Sequence, residues 1–133
     1  MSISHRLYHI NNSSESINIA IYSMAYYADY PSDYSNILLQ ALVTAKNRGI
    51  DVKVLVDDYT KDDSSNSLGA IIYLQNKGIP IKLDQSNSVT THSKIVIIDD
   101  TILLVGSLNW SYSRLQQNNE YSVVIKGNIQ NAI

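Results

Sequence analysis

The sequence contains no cysteine, which excludes disulfide bonds, cysteine nucleophiles and thiolate metal sites. It also has no run of about 18 consecutive apolar residues, so we expect no membrane-spanning helix. Residues 1–16 are polar and lack the apolar core of a secretory signal. Together these absences favour a cytoplasmic protein in a reducing compartment.

An excess of positive charge is missing as well, because 10 Lys and Arg face 12 Asp and Glu and the net charge is −2. Proteins that coat nucleic acid are usually basic, so a phosphate group would be bound here at a local site. The 133 residues, of which 44% are hydrophobic and 17% charged, predict one globular domain over residues 1–133. Phenylalanine is absent, and the aromatic residues are 10 tyrosines and one tryptophan.

Helical and strand patterns alternate in the first two thirds of the chain. Alternating isoleucines in 17–21 predict a strand, and apolar residues at helical spacing follow Ser32 or Asp33, either of which is a suitable N-cap. Glycines at 49 and 78 are natural helix stops. The expected elements are a short, weak helix over 5–16, a strand at 17–21, a helix ending at Gly49, a strand over 51–58, a helix over 67–77 and a strand over 79–83.

Two apolar segments in the last third, KIVIID (94–99) and TILLVGS (101–107), predict strands joined by a tight turn at Asp99-Asp100. A loop over 85–91 precedes them, and a short helix near 110–117 and a strand over 120–126 follow. The runs IVII and ILLV are apolar at every position, as in strands buried on both faces. The order of elements predicts an α/β fold with a mixed central β-sheet flanked by helices.

Polar residues at defined spacing occupy the ends of this strand pair. His92 and Lys94 are two apart, so both side chains leave a strand on the same face. If the turn folds the strands back, Ser107 and Asn109 return near them. A lysine with hydroxyl and amide donors forms a pocket for a phosphodiester, and a neutral imidazole is a competent nucleophile toward phosphorus. The complete set is His92, Lys94, Asp99, Gly106, Ser107 and Asn109.

This pattern, His-x-Lys, then Asp, then Gly-Ser-x-Asn, resembles the HKD motif of the phospholipase D superfamily. The similarity extends over roughly residues 15–126. It implies a phosphodiesterase with that superfamily's sandwich fold, independent of metal and of any cofactor. Consistent with this, only His5 and His9 remain outside the motif, without a compact metal-binding cluster.

The resemblance also implies a homodimer. In that superfamily two HKD motifs share one active site, and this chain has a single motif. His92 of one subunit would attack the phosphate and form a phosphohistidine, while His92 of the other would act as general acid and then as general base. Lys94 and Asn109 would hold the phosphate oxygens, and Ser107 would assist.

Glu120 is a further candidate, because a nucleophilic imidazole is usually oriented by a carboxylate on its far nitrogen. Related single-motif nucleases carry such a glutamate about this far downstream, and NNEYSVV (118–124) fits that context. Whether Glu120 reaches its own His92 or that of the partner is open. We interpret Asp99 as a structural residue that caps its turn and Gly106 as a position of close backbone approach.

The tyrosines of 21–34 have two interpretations: packing and hydrogen bonding at a strand end, or a rim on which nucleobases stack. Trp110 is predicted to be a core residue. His5 and His9 are expected on the surface of a frayed helix.

Three functions are compatible with the sequence. The first is an endonuclease acting on DNA or RNA, which the small size and single motif favour. The second is a phospholipid phosphodiesterase or phosphatidyl transferase, which would use the same chemistry. The third is a non-catalytic nucleic-acid-binding dimer module.

Overall fold

The structure is a computed structural model that describes residues 3–57, 65–84, 89, 91–107, 109–111 and 121–129. Three helices and six strands lie in these ranges. In chain order they are α1 (Ile3–Asn11), β1 (Ser16–Ile21), α2 (Tyr34–Asn47), β2 (Asp51–Asp57), α3 (Ser65–Asn76), β3 (Ile81–Asp84), β4 (Lys94–Ile98), β5 (Ile102–Gly106) and β6 (Ser122–Lys126).

The six strands form one sheet in the order β3-β2-β1-β4-β5-β6. Helices connect β1 to β2 and β2 to β3, so these three strands are parallel. β4, β5 and β6 each run antiparallel to the strand before them in the sheet. The predicted mixed α/β sheet with flanking helices is therefore confirmed.

The core lies between one face of the sheet and the helices. The alternating isoleucines Ile17, Ile19 and Ile21 are all buried, as the period of two predicts. They share a hydrophobic cluster with apolar residues of α1, α2 and α3. On the opposite face, side chains of β4 and β5 such as Ile97 and Leu103 are only half-buried. We expected both strands to be buried on both faces. They are buried on the face that packs against the helices, and only half-buried on the other.

Helix α1 differs from its prediction. It ends at Asn11 rather than continuing to residue 16, and it is not frayed, because Arg6, His9 and Ile10 are buried. The Arg6 guanidinium donates a hydrogen bond to Ser122 Oγ on β6 at 2.6 Å. The prediction that His9 is a surface residue is wrong: burial, together with the nearby charges of Lys126 and His5, lowers its pKa.

The ends of α2 follow the predicted cap chemistry. The Asp33 side chain accepts a hydrogen bond from the backbone N–H of Ser35 at 2.8 Å, so Asp33 is the N-cap. Gly49, beyond the C-terminal end, has φ +94°, a left-handed conformation that glycine adopts without a steric penalty.

Asp99 has a structural contact, but not the one predicted. Both Asp99 and Asp100 have φ +54°, in the tight turn that joins β4 to β5. The Asp99 carboxylate points away from this turn. It accepts hydrogen bonds of 2.7–3.1 Å from the backbone N–H groups of residues 14–16, at the start of β1. Partial burial acts to raise the pKa of Asp99, but these hydrogen bonds outweigh it, and the pKa lies below its ordinary value.

Gly106 lies where the backbone and side chain of the neighbouring segment approach closely. A Cβ built there would lie 2.5 Å from the carbonyl oxygen of Tyr121 and too close to Ser122 Oγ. By contrast, a Cβ on Gly69 in α3 would make ordinary van der Waals contact, 3.7 Å from the carbonyl oxygen of Tyr26. The absence of a side chain at Gly106 therefore allows β5 to pair with β6.

Replacing Asp99 by Asn should lower the free energy of unfolding by about 1–2 kcal/mol at pH 7, because Asn keeps the turn conformation but loses the charge that strengthens the loop hydrogen bonds. A carboxyl whose pKa is depressed by folding stabilises the protein above its unfolded pKa, near 3.8, and this stabilisation is lost as the pH falls through the folded value. The difference from wild type, measured by urea unfolding, should therefore shrink as the pH falls below 3.8. Asp100→Asn in the same turn is the control. If Asp99→Asn lost as much stability at low pH as at pH 7, the account would be contradicted.

Gly106→Ala should destabilise the protein by about 1–3 kcal/mol, because the added methyl group forces β5 and β6 apart. Gly69→Ala is the matched control and should be neutral or stabilising by up to about 1 kcal/mol, since alanine is the better helix former. Thermal unfolding of the two variants measures both effects. Equal stability of the two would show that the close approach at Gly106 is unimportant.

Candidate active site

The candidate residues meet at one end of the sheet, where β1 ends and the antiparallel β4 begins. Ile21 pairs with Lys94, and the backbone N–H of Tyr22 donates to the carbonyl of Ser93 at 2.7 Å. On its other edge β4 pairs with β5, where Ile95 lies opposite Val105. Continuing this register by one residue places Lys94 next to Gly106. This end is also where the carboxyl ends of the parallel strands lie, the usual place for ligands in α/β sheets.

His92 and Lys94 are in direct contact, as their spacing predicts. The Lys94 ammonium lies 3.0 Å from Nδ1 and 3.1 Å from Nε2 of His92, and it donates to the His92 carbonyl oxygen at 3.3 Å. The His92 side chain is exposed. The pair therefore places a potential nucleophile and a cation together on an accessible surface, as attack on a phosphodiester requires.

Tyr22 is a third member of this group, which the sequence indicated only as one of the tyrosines of 21–34 and not as a neighbour of His92. Its ring centroid lies 4.8 Å from that of His92, with the planes inclined at 51°. The Lys94 ammonium lies 5.5 Å from the Tyr22 ring centroid, within range of a cation–π interaction. The available signal was that Tyr22 directly follows a buried strand and belongs to the tyrosine-rich segment 21–34.

Ser107 makes its described hydrogen bonds with Tyr121, the residue before β6. Its backbone N–H donates to the carbonyl of Tyr121 at 2.9 Å, and its Oγ accepts from the Tyr121 N–H at 3.1 Å. Asn109 is different: its Oδ1 is buried and has no hydrogen-bond partner in the described part of the chain. A buried amide oxygen of this kind calls for a donor.

Trp110 is buried, as predicted, and it joins the segment after β5 to the segment after β1. Its N–H donates to the Ser23 carbonyl at 3.1 Å, and its own carbonyl accepts from the Ala25 N–H at 2.8 Å. The buried Ser35 hydroxyl lies 2.5 Å from the Ala25 carbonyl oxygen and 2.7 Å from that of Trp110. Ser35 thus joins the segments that follow β1 and β5, a role that no sequence pattern indicates.

The tyrosine-rich segment is held mainly by packing and hydrogen bonds. The Asn36 side chain accepts from the Tyr27 N–H at 2.9 Å and donates to the carbonyls of Tyr27 and Tyr30 at 2.7 and 3.0 Å. The rings of Tyr26 and Tyr73 are stacked 4.6 Å apart. The structural interpretation therefore applies to Tyr26 and Tyr27, whereas the Tyr30 side chain is largely exposed.

Other predicted residues lie apart from this site or beyond what the structure describes. Asp99 is at the opposite end of β4 from Lys94. Glu120 and most of the predicted helix over 110–117 fall outside the described residues. Within the ranges that are described, no three His, Cys, Asp or Glu side chains cluster closely enough to hold a metal ion, and no helix is long and apolar enough to cross a membrane.

Comparison with known proteins places this geometry in a family. Nuc from Salmonella typhimurium, a phospholipase D family member, is 31% identical with a TM-score of 0.81, over 97% of this chain and 78% of that chain. NucT from Helicobacter pylori is 24% identical with a TM-score of 0.76, over 95% and 77% of the two chains. A phosphatidylserine synthase from Haemophilus influenzae shares the fold at 16% identity, with a TM-score of 0.67 over 94% of this chain and 31% of that one.

No curated protein sequence matches the chain significantly. The family model described as cardiolipin synthase, PLD-like domain, matches residues 7–132, which is nearly the whole chain. Together with the 31% identity to Nuc, this match shows that the chain belongs to the phospholipase D superfamily.

Proposed function

We propose that the protein is a metal-independent phosphodiesterase that hydrolyses DNA or RNA as an endonuclease. The observation that carries the proposal is the contact between the Lys94 ammonium and the exposed His92 imidazole at the end of the sheet. Membership of the phospholipase D superfamily supports the reaction type, because the enzymes of that superfamily are phosphodiesterases.

The chemistry begins with an imidazole nitrogen of His92, which attacks phosphorus and displaces the alkoxide of the leaving strand. The leaving oxygen takes a proton from a general acid, and water then cleaves the phosphohistidine as the same group removes its proton. Lys94 has three N–H donors, so it can bind a phosphate oxygen while it remains beside the ring. This positive charge offsets the negative charge that develops on the phosphoryl oxygens.

A homodimer supplies the second imidazole that this scheme needs. One chain provides a single His92, and the other two histidines, His5 and His9, belong to α1. We therefore infer that two copies face each other across one phosphate, with His92, Lys94 and Asn109 contributed by both.

Glu120 and Ser107 complete the proposed site. Glu120 would accept a hydrogen bond from the far nitrogen of a His92 ring and hold the attacking nitrogen in its neutral form. Ser107 lies beside Gly106, and its hydroxyl is exposed, although it also accepts a hydrogen bond from Tyr121. It would assist Asn109 in binding phosphate oxygens.

A phospholipid substrate is the second candidate, favoured by the description of the matching family model as a cardiolipin synthase domain. The His92 chemistry is the same for both substrates, so only the group attached to the phosphate differs. A non-catalytic dimer that binds nucleic acid is the remaining alternative. Activity on separate substrates distinguishes the three.

Purified protein should cleave labelled single-stranded DNA, double-stranded DNA or RNA in the presence of EDTA, because lysine and amide donors replace a metal in stabilising the transition state. His92→Ala should lower the cleavage rate by at least about a thousandfold, since it removes the nucleophile. His5→Ala is the matched control and should cleave like wild type.

The same assay with phosphatidylglycerol vesicles tests the alternative. Release of headgroup without cleavage of nucleic acid would favour the lipid enzyme. Stable binding of nucleic acid with no turnover of either substrate would favour the binding module.

Mixed dimers test the shared site. When wild type and His92→Ala subunits are co-expressed in equal amounts, about a quarter of random dimers carry two intact imidazoles. If both are needed, activity per total protein should fall to about a quarter of that of wild type. A fall to only about a half would show that each subunit works with its own His92, and dimer content should be checked by sedimentation.

A further inference from the structure

Tyr22 is the aromatic neighbour of the His92–Lys94 pair. Its backbone is anchored on β4 through the 2.7 Å hydrogen bond from its N–H to the Ser93 carbonyl. The next residue is anchored as well, because the Ser23 carbonyl accepts from the Trp110 N–H at 3.1 Å. The ring of Tyr22 therefore projects from a backbone that is tied to two other segments of the site.

Among the described residues, the hydrogen-bond contacts of His92 are all with Lys94, two positions further along the chain. His92 precedes the first residue of β4, and its side chain is exposed. An exposed side chain ordinarily samples several rotamers, and only one of them directs a ring nitrogen at a bound phosphate. The Tyr22 ring, 4.8 Å from the imidazole centroid, blocks part of this rotation, and its face also attracts the Lys94 ammonium at 5.5 Å.

We propose that Tyr22 is a positioning residue, whose ring holds the His92 imidazole and the Lys94 ammonium side by side. Its effect on catalysis rests on the proposed function, whereas the ring contact itself does not. The contacts with the imidazole and the ammonium are made by the aromatic ring of Tyr22 and not by its phenol oxygen. A phenylalanine at position 22 should therefore still hold His92 and Lys94 in place, whereas an aliphatic residue should not.

The ring contact can be measured without any substrate, by NMR of the imidazole C–H groups. The chain has three histidines, and His92→Ala identifies the signals of His92 by their loss. An aromatic ring at this distance shifts the proton resonances of its neighbour. Tyr22→Leu should move the His92 signals toward the values of a free histidine, while Tyr22→Phe should leave them nearly unchanged.

Tyr8 provides a matched control, because its ring centroid lies 5.2 Å from that of His9 in an edge-on arrangement. Tyr8→Leu should move the His9 signals and leave those of His92 in place. If Tyr22→Leu leaves the His92 signals where they were, the proposal is overturned whether or not the protein cleaves nucleic acid.

Kinetics on an oligonucleotide test the consequence. Tyr22→Leu should lower kcat about tenfold to a hundredfold with KM changed less than about threefold, because the orientation of the nucleophile governs the chemical step, whereas Lys94 supplies only one of the proposed contacts to the phosphate. Tyr22→Phe should remain within about twofold of wild type. A rise in KM with unchanged kcat would overturn the proposal and assign Tyr22 to base stacking.

A purely structural role would lower the melting temperature of Tyr22→Leu and leave kcat unchanged below it, which would also overturn the proposal. If the leucine variant does not fold, Tyr22→Met is measured instead, with the same expectations. If the NMR result is as expected and the wild type shows no turnover, the contact stands and the proposed function fails.

Discussion

The antiparallel pairing of β1 with β4 is the constraint on which the rest of the structure depends. β1 is paired on its other side with the parallel β2, so it joins the parallel half of the sheet to the antiparallel half. Ile17 pairs with Ile98 and Ile21 with Lys94, which fixes β4 along its whole length. A shift of one residue would turn the buried side chains of β4 outward and move Lys94 to the other face.

The two ends of β4 serve different purposes under this constraint. At one end, the Asp99 carboxylate accepts hydrogen bonds from the loop before β1 and so fixes the register there. At the other, Lys94 and the preceding His92 reach the surface beside Tyr22. The Ser35 hydroxyl and Trp110 then hold the segment after β5 against the segment after β1. The residue that binds the loop before β1 and the residues proposed for catalysis therefore lie at opposite ends of β4, with its apolar residues between them.

Local patterns were sufficient to predict much of this arrangement. The alternating isoleucines of β1, the cap residue Asp33 and Gly49 are encoded by neighbours in the sequence, and the structure has them as predicted. The contact of His92 with Lys94 also followed from their spacing of two. The family resemblance rested on the same short pattern and was confirmed.

Contacts between distant segments could not be predicted, because a side chain carries no local sign of its partner. Asp99 was expected to cap its own turn and instead binds residues 14–16, more than 80 positions earlier. The burial of His9 depends on packing of α1 that its weak helical pattern does not reveal. The role of Ser35 and the contact of Tyr22 with His92 could not be predicted for the same reason, since each depends on residues of another strand or loop.

The central claim is that His92 is the nucleophile, and the most direct test is to trap its covalent intermediate. The protein is mixed with an end-labelled oligonucleotide, quenched in alkali within the first turnover, and digested for mass spectrometry, because phosphohistidine is labile in acid. The account predicts a nucleotide adduct on the peptide that contains His92, formed and lost at rates compatible with turnover. Cleavage that proceeds with no adduct, or with the adduct on another residue, would contradict it.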